Sequence, residues 1–132
     1  MERCGWAGTE VCVEHLPTRW GPGNVVMLET RYEGGAELVT GFARRKVRAE
    51  EVALEASAAM DAFEASGAPV GEHLADQLLL PMALLKGGHF LTQTPSLHTR
   101  TNADVIQGVL PVDIKRQAQA DGRVRISVLP RG

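Results

Sequence analysis

Two short stretches hold the residue types that group-transfer chemistry needs. One is Pro95-Ser96-Leu97-His98-Thr99-Arg100-Thr101-Asn102; the other, upstream of it, is Gly71-Glu72-His73-Leu74-Ala75-Asp76-Gln77-Leu78. An imidazole accepts a phosphoryl or nucleotidyl group through one ring nitrogen when a hydrogen bond to the other fixes the tautomer and the orientation of the ring. Pro95 and Ser96 end an extended run, and Thr101 or Asn102 is expected to cap a helix that begins near Ala103 and continues through Asp104, Val105 and Ile106 to about Gly108. His98 is then expected on a loop just before a helix N-terminus, where backbone N–H groups and the helix dipole favour an anionic phosphate. The same pattern also describes an ordinary surface histidine, and both readings stay open on spacing alone.

The partner stretch falls on a helix expected from about Gly71 to Leu85, with Leu74, Leu78 and Met82 as its apolar row. Pro81 either kinks this helix or opens its last turn, and Lys86-Gly87-Gly88 closes it. His73 and Gln77 share one face, and Glu72 and Asp76 share the adjoining one. Solvent exposure explains so polar a helix start as well as a binding site does.

Upstream, Val25 to Thr30 and Ala36 to Phe42 read as the strands of a hairpin turning at Glu33-Gly34-Gly35, with a shorter strand expected at Val11 to Glu14. Trp20-Gly21-Pro22-Gly23-Asn24 breaks regular structure. Its glycines read as a turn, since neither a helix nor a Lys-Ser/Thr pair follows to make a phosphate loop. From Ala49 to Ser66 an apolar stripe of Val52, Ala56, Ala59, Met60 and Phe63 predicts a long helix packed on the hairpin. The cluster Arg44, Arg45, Lys46 and Arg48 before it reads as a solvated helix start or as a phosphate contact. Gly67 ends the helix and Pro69 prevents its continuation, so the chain divides at 66–69. Beyond the second helix, His89 to Thr94 reads as a strand, and Pro111 to Lys115 with Val124 to Val128 as a hairpin through Asp121-Gly122.

The composition is that of an ordinary globular chain: 132 residues, 44% hydrophobic and 23% charged. A net charge of -2 supplies no global basic field, so any contact with RNA needs a local patch or a further part of the protein. The 2 cysteines, Cys4 and Cys12, make no disulfide framework and no zinc knuckle, and fit a reducing compartment. The run from Leu78 to Leu85 is too short for a membrane span, and Met1-Glu2-Arg3 opens no signal peptide. A soluble, cytoplasmic chain without membrane partners is expected.

Gly21-Pro22-Gly23-Asn24-Val25-Val26, Gly71 through Leu78, Leu79-Leu80-Pro81-Met82-Ala83, Pro95-Ser96 followed by His98, and Thr101-Asn102 occur in an order and spacing that closely resemble the C-terminal part of the RNA 3'-terminal phosphate cyclase family. The resemblance runs from about Val11 onward. It implies an α/β (α+β) architecture in which two helices lie on a four-stranded sheet as a repeated unit, with a smaller domain inserted into the last repeat. Residues 1–68 would be the later part of that insert, and residues 69–132 the end of the last repeat. The earlier repeats, which in the family carry further nucleotide and RNA contacts, are not among these residues. An apolar face on residues 69–132, covered by them or by self-association, would follow.

The implied reaction is ATP-dependent conversion of an RNA 3'-phosphate to a 2',3'-cyclic phosphate through a covalent histidine-AMP, with Mg²⁺ or Mn²⁺ neutralising the triphosphate. By this resemblance His98 is the nucleophile, and Asp76 orients its ring or helps hold metal. His73 lies where the family sets a ring against adenine, Gln77 meets the base edge, and Thr101 and Asn102 hold the loop. Leu97 and Arg100 depart from the family pattern beside the histidine. A catalytically silent fragment or interaction module, akin to the cyclase-like ribosome-biogenesis proteins, is the alternative; those relatives lack the histidine, so His98 argues against that branch.

Overall fold

The structure is a computed structural model that describes residues 10–132 apart from 18, 20, 22 and 86. Two helix-on-sheet arrangements follow each other along a mixed α+β chain. In the first, β1 (Val25–Tyr32) and β2 (Gly35–Phe42) pair antiparallel, with Val25 opposite Phe42 and Tyr32 opposite Gly35. Helix α1 (Ala49–Ser66) covers one face of this ribbon, burying Val52, Ala56, Met60 and Phe63. Ala59, expected in that stripe, is exposed. The other face of the ribbon leaves Val25, Met27, Leu38 and Phe42 exposed. Gly67 ends α1 in the left-handed conformation, φ 59°, as expected of a helix-terminating glycine.

The second arrangement is α2 (Glu72–Leu84), β3 (Gly88–Thr92), α3 (Leu97–Val109), β4 (Val112–Ala118) and β5 (Val124–Pro130). The strands form an antiparallel sheet in the order β3-β5-β4. Alternation along them sends Phe90, Val112, Ile114, Ile126 and Val128 to one face, where α2 and α3 lie side by side and close the core. The described strands of this sheet number three rather than the four of the implied repeat, and an isolated parallel bridge between Val70 and Thr92 extends its β3 edge.

Several boundaries differ from expectation. Val11 to Glu14 form no strand and are exposed. Within the Trp20 to Asn24 break, residues 20 and 22 lie outside the described residues. The most buried row of α2 is Ala75, Leu79 and Ala83; Leu74, Leu78 and Met82 are only half buried at its margin. Size misled the reading, since small alanines face the close-packed neighbours while the larger leucines flank them. Pro81 sits inside α2 without ending it, and the helix runs on to a last-turn bond from Leu85 N–H to Pro81 O of 2.9 Å. Strand β3 stops at Thr92, two residues early. Helix α3 starts at Leu97, six residues before the expected start.

Candidate active site

That early start decides where His98 lies. Ser96 is the N-cap of α3: its Oγ accepts from Thr99 N–H at 3.2 Å and lies 3.1 Å from the Thr99 hydroxyl. Thr101 and Asn102, the expected caps, sit inside the helix. The Thr101 hydroxyl donates back to Leu97 O at 2.9 Å, and Asn102 turns towards α2. His98 therefore occupies the first helical turn rather than a preceding loop. The helix N-terminus still favours an anion there, because the first-turn N–H groups are those that a helix cannot satisfy internally.

Helix packing brings the two stretches together. His98 Nε2 lies 3.2 Å from Asp76 Oδ2, with the imidazole 81% and the carboxylate 20% exposed. The other carboxylate oxygen, Oδ1, accepts from Asn102 Nδ2 at 2.8 Å. Asp76 is thus fixed by Asn102 at one oxygen and faces the ring of His98 with the other, and Nδ1 of the imidazole makes no hydrogen bond among the described residues. A carboxylate that accepts from one ring nitrogen fixes the tautomer of an imidazole, and Asp76 stands where it could do so.

His73 and Gln77 share the exposed surface of α2 with Asp76 between them in sequence. Neither hydrogen-bonds to His98 among the contacts of the described residues, so the structure joins Asp76, His98 and Asn102 and leaves His73 and Gln77 beside them. Asn102 was expected only to hold a loop; its role in fixing Asp76 depends on the crossing of two helices, which spacing does not reveal.

Glu37 was missed altogether. It projects from β2 and is buried against the start of α2, where no side chain of α2 itself supplies a cap. A methyl group on Gly71 would lie 2.2 Å from Glu37 Oε1, so the carboxylate occupies the space that only a glycine leaves. Burial pushes the Glu37 carboxyl above its usual range, against the opposing pull of His73 and of a hydrogen bond from Gly71 N–H. With Tyr32, whose hydroxyl donates to Pro69 O at 2.8 Å, Glu37 fastens the hairpin to the N-terminal end of the helix that carries Asp76. Its signal in the sequence was one acidic residue in an otherwise apolar strand.

Fold and site define an α+β chain with a histidine in the first turn of a helix and a carboxylate beside it. A profile of the RNA 3'-terminal phosphate cyclase family matches residues 10–116. RNA 3'-terminal phosphate cyclases of Pseudomonas fluorescens, Koribacter versatilis and Pseudomonas aeruginosa are 48%, 42% and 39% identical over 76%, 84% and 96% of this chain. The chain belongs to this family. It spans only 29%, 32% and 37% of those relatives.

Proposed function

We propose that this chain is the C-terminal part of an RNA 3'-terminal phosphate cyclase and carries its nucleophile, His98. Residues 1–68 correspond to the later part of an inserted domain and residues 69–132 to the end of the catalytic domain. The observation that carries this reading is the convergence of Asp76 and His98, 3.2 Å apart, from separate helices. The free ring nitrogen of His98 attacks the α-phosphorus of ATP, the bond to the β-phosphate breaks, and pyrophosphate leaves. Asp76 stabilises the positive charge that grows on the ring. AMP passes from His98 to the RNA 3'-phosphate, giving that phosphate a leaving group, and the neighbouring 2'-hydroxyl displaces AMP to close the cyclic ester. His73 stacks on adenine and Gln77 bonds its edge.

Mg²⁺ or Mn²⁺ would neutralise the triphosphate, yet the residues present do not fit a complete metal site. Among the described residues, Asp76 is the only carboxylate within ion-pair distance of the His98 ring, and no group of three or more His, Cys, Asp or Glu side chains converges. We therefore assign the remaining phosphate and metal contacts to the N-terminal repeats of a complete cyclase. Those repeats, or a second copy of the chain, would also cover the apolar outer surface of the helix pair, where Leu80, Leu84, Val105 and Val109 are exposed. No helix of the described residues is long and apolar enough to cross a membrane. The 2 cysteines lead us to propose the reducing cytoplasm as the compartment.

Incubation with α-labelled ATP and Mg²⁺ tests the reading. An acid-labile, base-stable protein-AMP adduct is expected, formed slowly by the chain alone and faster when the N-terminal repeats of a relative are added. His98→Ala is expected to remove it. Labelling that survives His98→Ala rules out this nucleophile, and no labelling under either condition transfers the chain to the interaction-module reading.

A further inference from the structure

On the flank of α3 opposite the Asp76–His98 pair lies an open groove of about 300 Å³, lined by Thr94, Pro95, Arg100, Arg116, Ala118 and Val124. Its construction follows from the register. Arg116 and Ala118 continue along β4 from Val112 and Ile114 on the helix-bearing face, opposite Ile126 and Val124 of β5. Helix α3 does not cover that far end of the sheet, so Ala118 and Val124 make an apolar floor. Pro95 closes one side of the groove. Arg100 reaches it from the first turns of α3, two residues after His98; residues at i and i+2 point to nearly opposite sides of a helix.

Arg100 and Arg116 are both exposed at this groove. The nearest acid is Asp104, 3.5 Å from Arg116 in a long and exposed pair that contributes little and yields readily to a stronger anion. An apolar floor edged by guanidinium groups and a Thr hydroxyl matches one nucleotide of a single strand. A base would lie on such a floor and against an arginine plane, with its phosphate at the cations. The charge also stands out locally, because the chain as a whole is slightly acidic.

We infer that this groove binds a nucleotide upstream of the 3' end of a single-stranded RNA, so that the strand crosses the start of α3 with its terminus at His98. The inference rests on the cyclase reading for the presence of RNA, whereas the groove itself stands independently of any chemistry at His98. Arg100, a departure from the family pattern, thereby becomes a contact particular to this chain.

The test is fluorescence anisotropy of a labelled oligoadenylate of about ten nucleotides with the whole chain, without ATP, across a salt series. Arg100→Ala and Arg116→Ala are each expected to weaken binding several-fold and to lower the salt slope by about 0.7. The double charge reversal Arg100→Glu/Arg116→Glu abolishes it. Lys115→Glu is the matched control, since Lys115 alternates to the opposite face of β4, and it is expected to change binding little. An abasic strand of equal length binds more weakly than oligoadenylate. Melting curves confirm that each variant is folded. Equal loss with Lys115→Glu, equal binding of the abasic strand, or no RNA binding by the native chain overturns the inference. This binding assay contains no ATP and is read separately from the labelling with ATP: a chain that binds RNA but gives no adduct in that labelling retains the groove and loses the nucleophile, and a chain that gives the adduct but binds no RNA does the reverse.

Discussion

Helix α1 on its two-stranded ribbon and the pair α2 and α3 on a three-stranded sheet are built alike but closed to different depths. In the second, Ala75, Leu79 and Val128 are wholly buried and Ile126 nearly so, with helices and sheet filling one core. In the first, Val52 and Met60 are buried on the helix, but Val26, Leu28 and Val39 beneath them are only half covered, and the far face of the ribbon is open. A side chain can be held within hydrogen-bonding geometry only by elements that cannot shift, and Asp76, His98 and Asn102 all stand on the closed arrangement. The open one meets it at the start of α2 through Glu37 and Tyr32.

The sharpest break in this comparison is expected from Leu79→Ala, which empties a fully enclosed position and should cost about 2–5 kcal/mol, disturbing the Asp76–His98 pair as well. Met60→Ala is expected to cost less, near about 2 kcal/mol, because the half-open ribbon can collapse around the gap. Denaturant unfolding followed by amide exchange separates the two: Met60→Ala should raise exchange in β1, β2 and α1 well before α2 and α3. Equal losses everywhere would show a single cooperative unit. Asn102→Ala removes a hydrogen bond to a half-buried carboxylate and is expected to cost about 1–2 kcal/mol with a larger relative loss of adduct formation. Thr92→Val should move the other way by about 1 kcal/mol, since the Thr92 hydroxyl is buried with no partner among the described residues.

The finest test concerns the junction. The Glu37 carboxyl is raised in the folded chain, so the fold binds its proton more tightly than the unfolded chain does. The corresponding stability is present below the ordinary carboxylate range and is lost as pH rises through the raised value. Glu37→Gln should therefore match the native chain at acid pH and gain on it towards neutrality in paired thermal melts. A gap that narrows with rising pH would mean that the helix N-terminus outweighs burial at this site.

Much of this organisation was readable in the sequence. The bounds of α1, the hairpin with its glycine turn, and the order of elements after Pro69 follow from periodicity and from Gly and Pro, because each is a local effect. The start of α3 was harder to place. Ser96, Thr99, Thr101 and Asn102 are all capable caps, and the choice among them was made by Asn102 being drawn to Asp76 across the helix pair. The buried row of α2 failed for the same reason, since only its neighbours show that Ala75 and Ala83 face inward. Glu37 could not be found from spacing, as its meaning depends on a glycine 34 positions away in the sequence.

Long-range proton–nitrogen correlation of the histidine rings, in the native chain and in Asp76→Ala, reads whether Asp76 orients His98. At a pH where the ring is neutral, His98 should show one tautomer, with its proton on Nε2 facing Asp76, and Asp76→Ala should release it to a mixture. A mixed His98 tautomer in the native chain, or a spectrum unchanged by Asp76→Ala, would contradict the account.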